Sequence, residues 1–280
     1  MALSNSTTRN VNVLERLLAA RRPLVMGILN ITPDSFSDGS RFIDPDAALT
    51  HARQMIAEGA DIIDVGAEST RPYAGAQPVS TEDEVARLAP VLRRVIELGA
   101  PVSIDTMKAK VAAGALEQGA ALLNDVWGLQ RDPDMARVAA EHRVPIVVMH
   151  NREQIDPALD IMADIQAFFG RSLEIASSAG IKRENIVLDP GIGFGKTPEQ
   201  SIEAIARLGE LKRFGLPILV GLSRKRFINS VSSSKPDQRL GGSIAGNLMA
   251  VRAGADIVRV HDVAETVQAL RVMNAIEKAR

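Results

Sequence analysis

The residues in this sequence best suited to chemistry stand where apolar runs stop. They are Asn30, Glu68, Asp105, Asn124, His150, Asp189, Ser223 with Lys225, and Arg259 with His261. The set is rich in hydrogen-bonding and charged groups but pairs no nucleophile with a base, so it suits orientation and charge stabilisation rather than covalent catalysis. Asp189 is the sharpest signal. Ile186, Val187 and Leu188 read as a strand covered on both faces, Pro190 cannot extend a central ladder, and the next helix starts only near Pro198. A carboxylate so placed does not serve as a helix cap, whereas Asp105 or Asn124 alone reads more simply as one. The glycines at 191, 193 and 195 allow a close approach of backbone to ligand, or, more blandly, form a flexible loop. Taken together, the strand ends suit a planar, polar small molecule.

Arg259 and His261 are two apart, so they share one side of their strand while Val258 and Val260 take the other. Aimed together they make an anion site; the competing reading is a salt bridge to Asp256 or Asp262. Lys225 lies in Arg224-Lys225-Arg226, a kind of run that is usually a solvated face. His51 and His142 fall within helices and read as structural. No second ligand stands at zinc spacing from His150, so the sequence offers no transition-metal site. A magnesium ion, which takes oxygen ligands and substrate phosphates, is the more natural metal.

Positioning these groups requires a repeated unit of helix, glycine, apolar strand and polar strand end. Helices are expected to close on Gly59, Gly99, Gly119, Gly180, Gly215 and Gly254, each followed within a few residues by an apolar run. The strands are predicted at Val25–Asn30, Ile62–Gly66, Val102–Thr106, Ala121–Asp125, Val144–His150, Ile186–Asp189, Ile218–Gly221 and Ile257–His261. Eight is the number that a closed (β/α)8 TIM barrel requires. Ala47, Ala48, His51, Ala52, Met55 and Ile56 form one apolar stripe, and Val85, Leu88, Leu92, Val95 and Ile96 another. Val11 to Arg22 reads as an extra amphipathic helix plugging the bottom of the barrel. A doubly wound sheet is disfavoured, because Asn30-Ile31-Thr32-Pro33-Asp34 replaces the glycine-rich turn after the first strand, and Pro190 spoils a P-loop.

The 280 residues are about right for one such barrel, and no stretch reads as an interdomain linker. A single α/β domain over residues 1–280 is expected, with about the first ten residues disordered. A net charge of −1 with 3% aromatics argues against a nucleic-acid surface. No cysteine means no disulfide or thiol chemistry, and Leu24 to Leu29 is too short to span a bilayer. A soluble, cytoplasmic protein without membrane or nucleic-acid partners is the expectation.

Seven motifs then fall in one order: Gly27-Ile-Leu-Asn30-Ile-Thr-Pro-Asp34-Ser-Phe36-Ser-Asp-Gly39, Glu68-Ser-Thr70-Arg71-Pro72, Ser103-Ile-Asp105-Thr106, Leu123-Asn124-Asp125, Asp189-Pro-Gly-Ile-Gly-Phe-Gly-Lys196, Ser223-Arg-Lys225 and Arg259-Val-His261-Asp262-Val263. Together they resemble the dihydropteroate synthases from about Leu24 to the last helix. The resemblance implies a transferase of folate biosynthesis, a sulfonamide target, that joins 6-hydroxymethyl-7,8-dihydropterin diphosphate to 4-aminobenzoate. It assigns Asp105, Asn124, Asp189 and Lys225 to the pterin, Thr70, Arg259 and His261 to its diphosphate, and Asn30 to Mg2+. Asp105, Lys225 and Arg259 would carry catalysis. Phe36, Thr70, Arg71, Pro72, Phe194 and Ser223 would frame the aminobenzoate, with the loops Ile31 to Ser40 and Ser69 to Pro78 closing over it. A homodimer built on the outer helices, the last two among them, is also implied.

This sequence departs from the family pattern in a longer second loop, in Asn151-Arg152-Glu153 after His150, and at Arg226. Two rivals share the pterin contacts: a barrel that passes a methyl group to a corrinoid protein, and a non-catalytic pterin binder. Neither explains Thr32-Pro33-Asp34-Ser35-Phe36, Ser223-Arg224-Lys225 or the leaving-group residues Asn30, Arg259 and His261.

Overall fold

Eight parallel strands form the centre of the protein, in the order β6-β5-β4-β3-β2-β1-β8-β7. The structure is a computed structural model and describes residues 13–31, 44–68 and 79–279. The strands are β1 (Leu24–Asn30), β2 (Ile62–Gly66), β3 (Val102–Asp105), β4 (Leu122–Asp125), β5 (Ile146–Met149), β6 (Ile186–Asp189), β7 (Leu219–Val220) and β8 (Ile257–Val260). A single parallel bridge between Leu188 and Ile218 joins β6 to the segment before β7 and closes the ring. The described α-helices are α1 (Val13–Leu18), α2 (Pro45–Glu58), α3 (Thr81–Leu88), α4 (Leu92–Ile96), α5 (Ala109–Glu117), α6 (Met135–His142), α7 (Ile161–Ser178), α8 (Pro198–Ala206), α9 (Arg226–Val231), α10 (Leu240–Ala253) and α11 (Val263–Lys278). This is the expected α/β TIM barrel with an extra helix in front.

Strands buried on both faces need no polar alternation, which is why the continuous runs located them well. Ile62–Gly66 and Ile186–Asp189 match their predicted bounds, while β3, β5, β7 and β8 stop short of Thr106, His150, Gly221 and His261. Register sorts the inward residues into layers. The bottom layer is apolar: Leu24, Met26, Ile62, Leu122, Val147, Val187, Leu219 and Ile257 pack with Leu14 of α1. Leu14 is fully buried, so α1 does plug the barrel floor. Two residues further along β2, β4, β6 and β8, the inward positions turn polar, with Asp64, Asn124, Asp189 and Arg259.

Gly59 and Gly254 end α2 and α10 in the left-handed conformation, and all six predicted helix-closing glycines have positive φ. The second predicted stripe needs correction. Helices α3 and α4 are separate around Pro90, and Val85 is 43% exposed while Glu84 is buried instead. Glu84 is stabilised there by Lys108, whose ammonium lies 2.6 Å away. No described helix is long and apolar enough to cross a membrane.

Candidate active site

The polar layer at the carboxyl ends of the strands is built from adjacent elements. Gly66 of β2 is paired with Asp105 of β3, and Asp105 with Asn124 of β4. Gly66 leaves room there, since a Cβ on it would press on the Asp105 side chain at 3.3 Å. Asp64, one inward position below Gly66, reaches across the barrel to β4 and β8, each two strands away. Its Oδ2 accepts from Asn124 Nδ2 at 3.0 Å and from Arg259 Nε at 2.5 Å. Arg259 Nη2 donates to Asp105 Oδ2 at 2.7 Å. The predicted alternative for Arg259 is therefore wrong in its partners: Asp262 binds Arg224 and Asp256 accepts from Ile218 N. The side chains of β8 and of β2 and β3 meet across the barrel, a neighbour relation that chain separation hides.

Neither Asp105 nor Asn124 is a cap. The local turn hydrogen bonds fall to residues next to them: Asp125 accepts from Trp127 N and Leu129 N, and Thr106 Oγ1 from Lys108 N. Lys225 is likewise no part of a solvated face. The basic run separates by direction, with Arg224 paired to Asp262, Arg226 exposed, and Lys225 turned inward over Phe194, 4.5 Å from the ring centre. Its ammonium donates to Ile192 O and faces Asp189, Asp105 and Arg259. Ser223 and His261 meet at the rim, Oγ to Nδ1, at 3.0 Å. Asp189 accepts from Gly191 N at 2.8 Å and points into the same centre, where it feels both Lys225 and Arg259.

Burial sets the protonation of this group. It pushes the Asp105 carboxyl up to about 7 against the opposing pull of Arg259, and it raises Asp189 against that of Lys225. Burial also brings the Lys225 ammonium down to about 8, with Asp189 resisting. Within the described residues, Asp64 Oδ1, Asp105 Oδ1 and Asn124 Oδ1 are buried and have no hydrogen-bond partner. Asp105 and Asn124, which unlike Asp64 keep slight exposure, call in this state for a ligand that brings N–H donors.

Two of the strand-end residues take no part. Glu68 accepts from Lys108 at 2.6 Å and from Val79 N at 3.0 Å, tying together the two ends of the segment 69–78. His150 is fully buried behind the site. Its Nδ1 meets Lys196 Nζ at 2.7 Å and its Nε2 meets Asp164 Oδ2 at 2.9 Å, so Nδ1 accepts and Nε2 carries the proton. Burial and Lys196 lower its pKa to about 4. Lys196 also donates to Gly191 O and Phe194 O, fixing the turn that holds Asp189. The glycines of that turn answer to protein rather than ligand at two positions, for a Cβ on Gly191 would overlap His150 O and one on Gly195 would overlap Arg152.

Asp64 and Lys196 were not singled out by sequence. Asp64 was discoverable as an isolated carboxylate in Ile62-Ile63-Asp64-Val65, and Lys196 as a cation amid glycines. Asn30 ends β1 opposite Gly66, at the same mouth. Phe36, Thr70, Arg71 and Pro72 lie outside the described residues, as do positions 32–40 and 69–78 of the two expected closing loops and the N-terminal residues 1–12.

Residues 26–261 match the model of a family described as pterin binding enzyme. The chain is 49% identical over 257 residues to a dihydropteroate synthase of Clostridium beijerinckii, covering 91% of this chain and 94% of the relative. Among solved structures, the dihydropteroate synthase of Clostridium difficile in the presence of pteroic acid superposes with a TM-score of 0.88 at 49% identity, covering 91% of this chain and 97% of that one. The Xanthomonas albilineans enzyme with 4-aminobenzoic acid gives 0.87 at 41% identity, covering 91% and 93%. The barrel, its inward carboxylates and these relatives agree: the chain belongs to the dihydropteroate synthase family of pterin-binding enzymes.

Proposed function

We propose that this protein condenses 6-hydroxymethyl-7,8-dihydropterin diphosphate with 4-aminobenzoate, giving 7,8-dihydropteroate and diphosphate. The observation that carries the reading is the inward layer of Asp105, Asn124 and Asp189, all buried, in which Asp105 Oδ1 and Asn124 Oδ1 have no protein partner, with Arg259 beside it and Lys225 over it. A pterin edge with adjacent N–H donors fits the Asp189 carboxylate in a bidentate pairing. The carbonyl oxygen of Asn124 serves a further ring N–H, and the Lys225 ammonium a ring acceptor.

The bond that breaks joins the pterin methylene to the diphosphate oxygen, and its electron pair leaves with diphosphate. The methylene cation is conjugated to the ring and gains stabilisation from Asp105. The aromatic amine then forms the new C–N bond and releases a proton, in a dissociative, SN1-like sequence that needs no base beforehand. Of the five N–H groups of Arg259, those on Nε and one on Nη2 are engaged by Asp64 and Asp105, leaving the others for the departing diphosphate. His261 stands at the rim beside Ser223 to assist. Phe194 and Ser223, with Phe36, Thr70, Arg71 and Pro72, would frame the aminobenzoate. Mg2+ suits the carboxamide oxygen of Asn30, a hard donor at the barrel mouth, together with diphosphate oxygens, and when bound it offsets the leaving group's charge.

The homodimer belongs to the same reading: Met249 on α10 and Val272 and Ile276 on α11 are apolar, more than half exposed and available to cover. The function is tested by titrating the protein with a pterin ligand with and without its diphosphate, each with and without Mg2+. Affinity that rises with diphosphate and rises again with Mg2+ supports a leaving-group site. Equal affinities in all four titrations would favour a mere pterin binder.

A further inference from the structure

Asp64 is fully buried, and both of its hydrogen-bond partners, Asn124 and Arg259, have a stated role in the proposed reaction while it has none. A barrel that needed only filling would repeat the Ile62 of the layer below, because a buried carboxylate costs desolvation that an aliphatic side chain does not. Its Oδ2 collects Asn124 Nδ2 and Arg259 Nε, one from the residue that would read the ring and one from the residue that would hold the diphosphate. We infer that Asp64 is the positioning residue of the pterin site, fixing the Asn124 amide and the Arg259 guanidinium in the attitudes that recognise the two halves of the substrate.

The reasoning starts from donors and acceptors. A carboxylate can only accept, so the Asn124 amide must turn its NH2 group toward Asp64. Asn124 Oδ1 is thereby turned away, and it is one of the buried atoms without a protein partner. That leaves an acceptor facing the site, which a ring N–H can meet. With an amide at position 64, both faces of Asn124 become acceptable and the flipped form presents N–H where the ring also presents N–H. Arg259 is held in the same way: Nε at Asp64 and Nη2 at Asp105 fix the guanidinium plane, so its remaining N–H groups keep one direction. One anchor then couples ring recognition to leaving-group recognition.

This inference rests on the pterin reading, and the test keeps the two apart. Asp64→Asn, close to isosteric, is compared with wild type for binding of a pterin lacking diphosphate and for KM toward each substrate. The expected result is pterin binding weakened roughly 10- to 100-fold, with KM for 4-aminobenzoate unchanged and the circular dichroism spectrum retained. Adding Asp64→Asn to Asn124→Ala should then cost little more, because Asp64 acts through Asn124 on the ring. Wild-type affinity in Asp64→Asn, or full additivity of the two substitutions, overturns the inference while leaving the function standing. No pterin binding by the wild type would overturn the function itself. Should Asp64→Asn not fold, the 15N-labelled side-chain amide of Asn124 in the wild type decides: one slowly exchanging pair with a proton shifted strongly downfield is expected, and a rapidly exchanging, averaged pair overturns the inference.

Discussion

Lowering the pH should slow this protein steeply from neutrality downward, because the carboxylate placed to face the methylene cation titrates there. Burial raises Asp105 to about 7, and only its ionised form stabilises a cation. For an acid raised in this way, the active form is complete above the folded pKa and is lost as pH falls through it. At pH 5, two units below, kcat/KM for the pterin diphosphate should stand roughly 100-fold under its maximum. An Asp105 at its ordinary value of 3.8 would leave the rate flat to pH 5. On the alkaline side Lys225, brought down to about 8, must stay protonated, so a second limb is expected above that value. The two limbs belong to the interacting cluster of Asp105, Asp189, Lys225 and Arg259 and are read as its apparent values. A terminal phosphate titrates near ~6, so the assay needs a companion: the dissociation constant of a pterin without diphosphate, measured over the same pH range. Lys225→Arg should remove the alkaline limb and leave the acid one. A kcat/KM constant between pH 7.5 and 5, with circular dichroism unchanged, would refute the assignment of Asp105.

Other substitutions test separate parts of the account. Asp189→Asn should weaken pterin binding by roughly 100-fold or more, two charge-assisted hydrogen bonds at ~1.5 kcal/mol each, without loss of the folded spectrum; calorimetry that finds binding intact would remove Asp189 from the site. Gly191→Ala should destabilise by at least about 2 kcal/mol, from left-handed strain at φ 63° and overlap with the His150 carbonyl. Gly114→Ala, with open space around it in α5, should instead stabilise by about 0.5–1 kcal/mol in urea unfolding. If the two behave alike, the close packing of the glycine turn on β5 is wrong.

Much of this architecture could be read from the sequence because parallel strands covered on both faces are written as unbroken apolar runs. Strand β7 is the shortest, as Pro217 and Gly221 leave only Leu219 and Val220 in the ladder. Asp105 and Asp189 were found since each ends its run, and Asn124 since it stands one residue short of the end, a rule that works when the strand end and the polar layer coincide. In β2 they do not coincide. The run continues to Gly66, so the rule selected Glu68 and passed over Asp64, the inward residue level with the others. His150 shows the opposite failure: it ends its strand but turns away into a pocket with Lys196 and Asp164, and nothing local announces that turn. Arg259 pairs with carboxylates 154 and 195 positions away, contacts that only closure of the barrel creates. Lys225 left its basic neighbours because Phe194 and Asp189 lie under it, again across strands.

The central claim is a condensation that releases diphosphate, so diphosphate release from the purified protein tests it most directly. The pterin diphosphate, 4-aminobenzoate and Mg2+ are supplied together and then omitted one at a time. Release that requires all three, with 7,8-dihydropteroate formed in equal amount, is the predicted result. Tight pterin binding with no release under any combination would contradict it and point instead to a barrel that only binds pterin or passes a methyl group to a corrinoid partner.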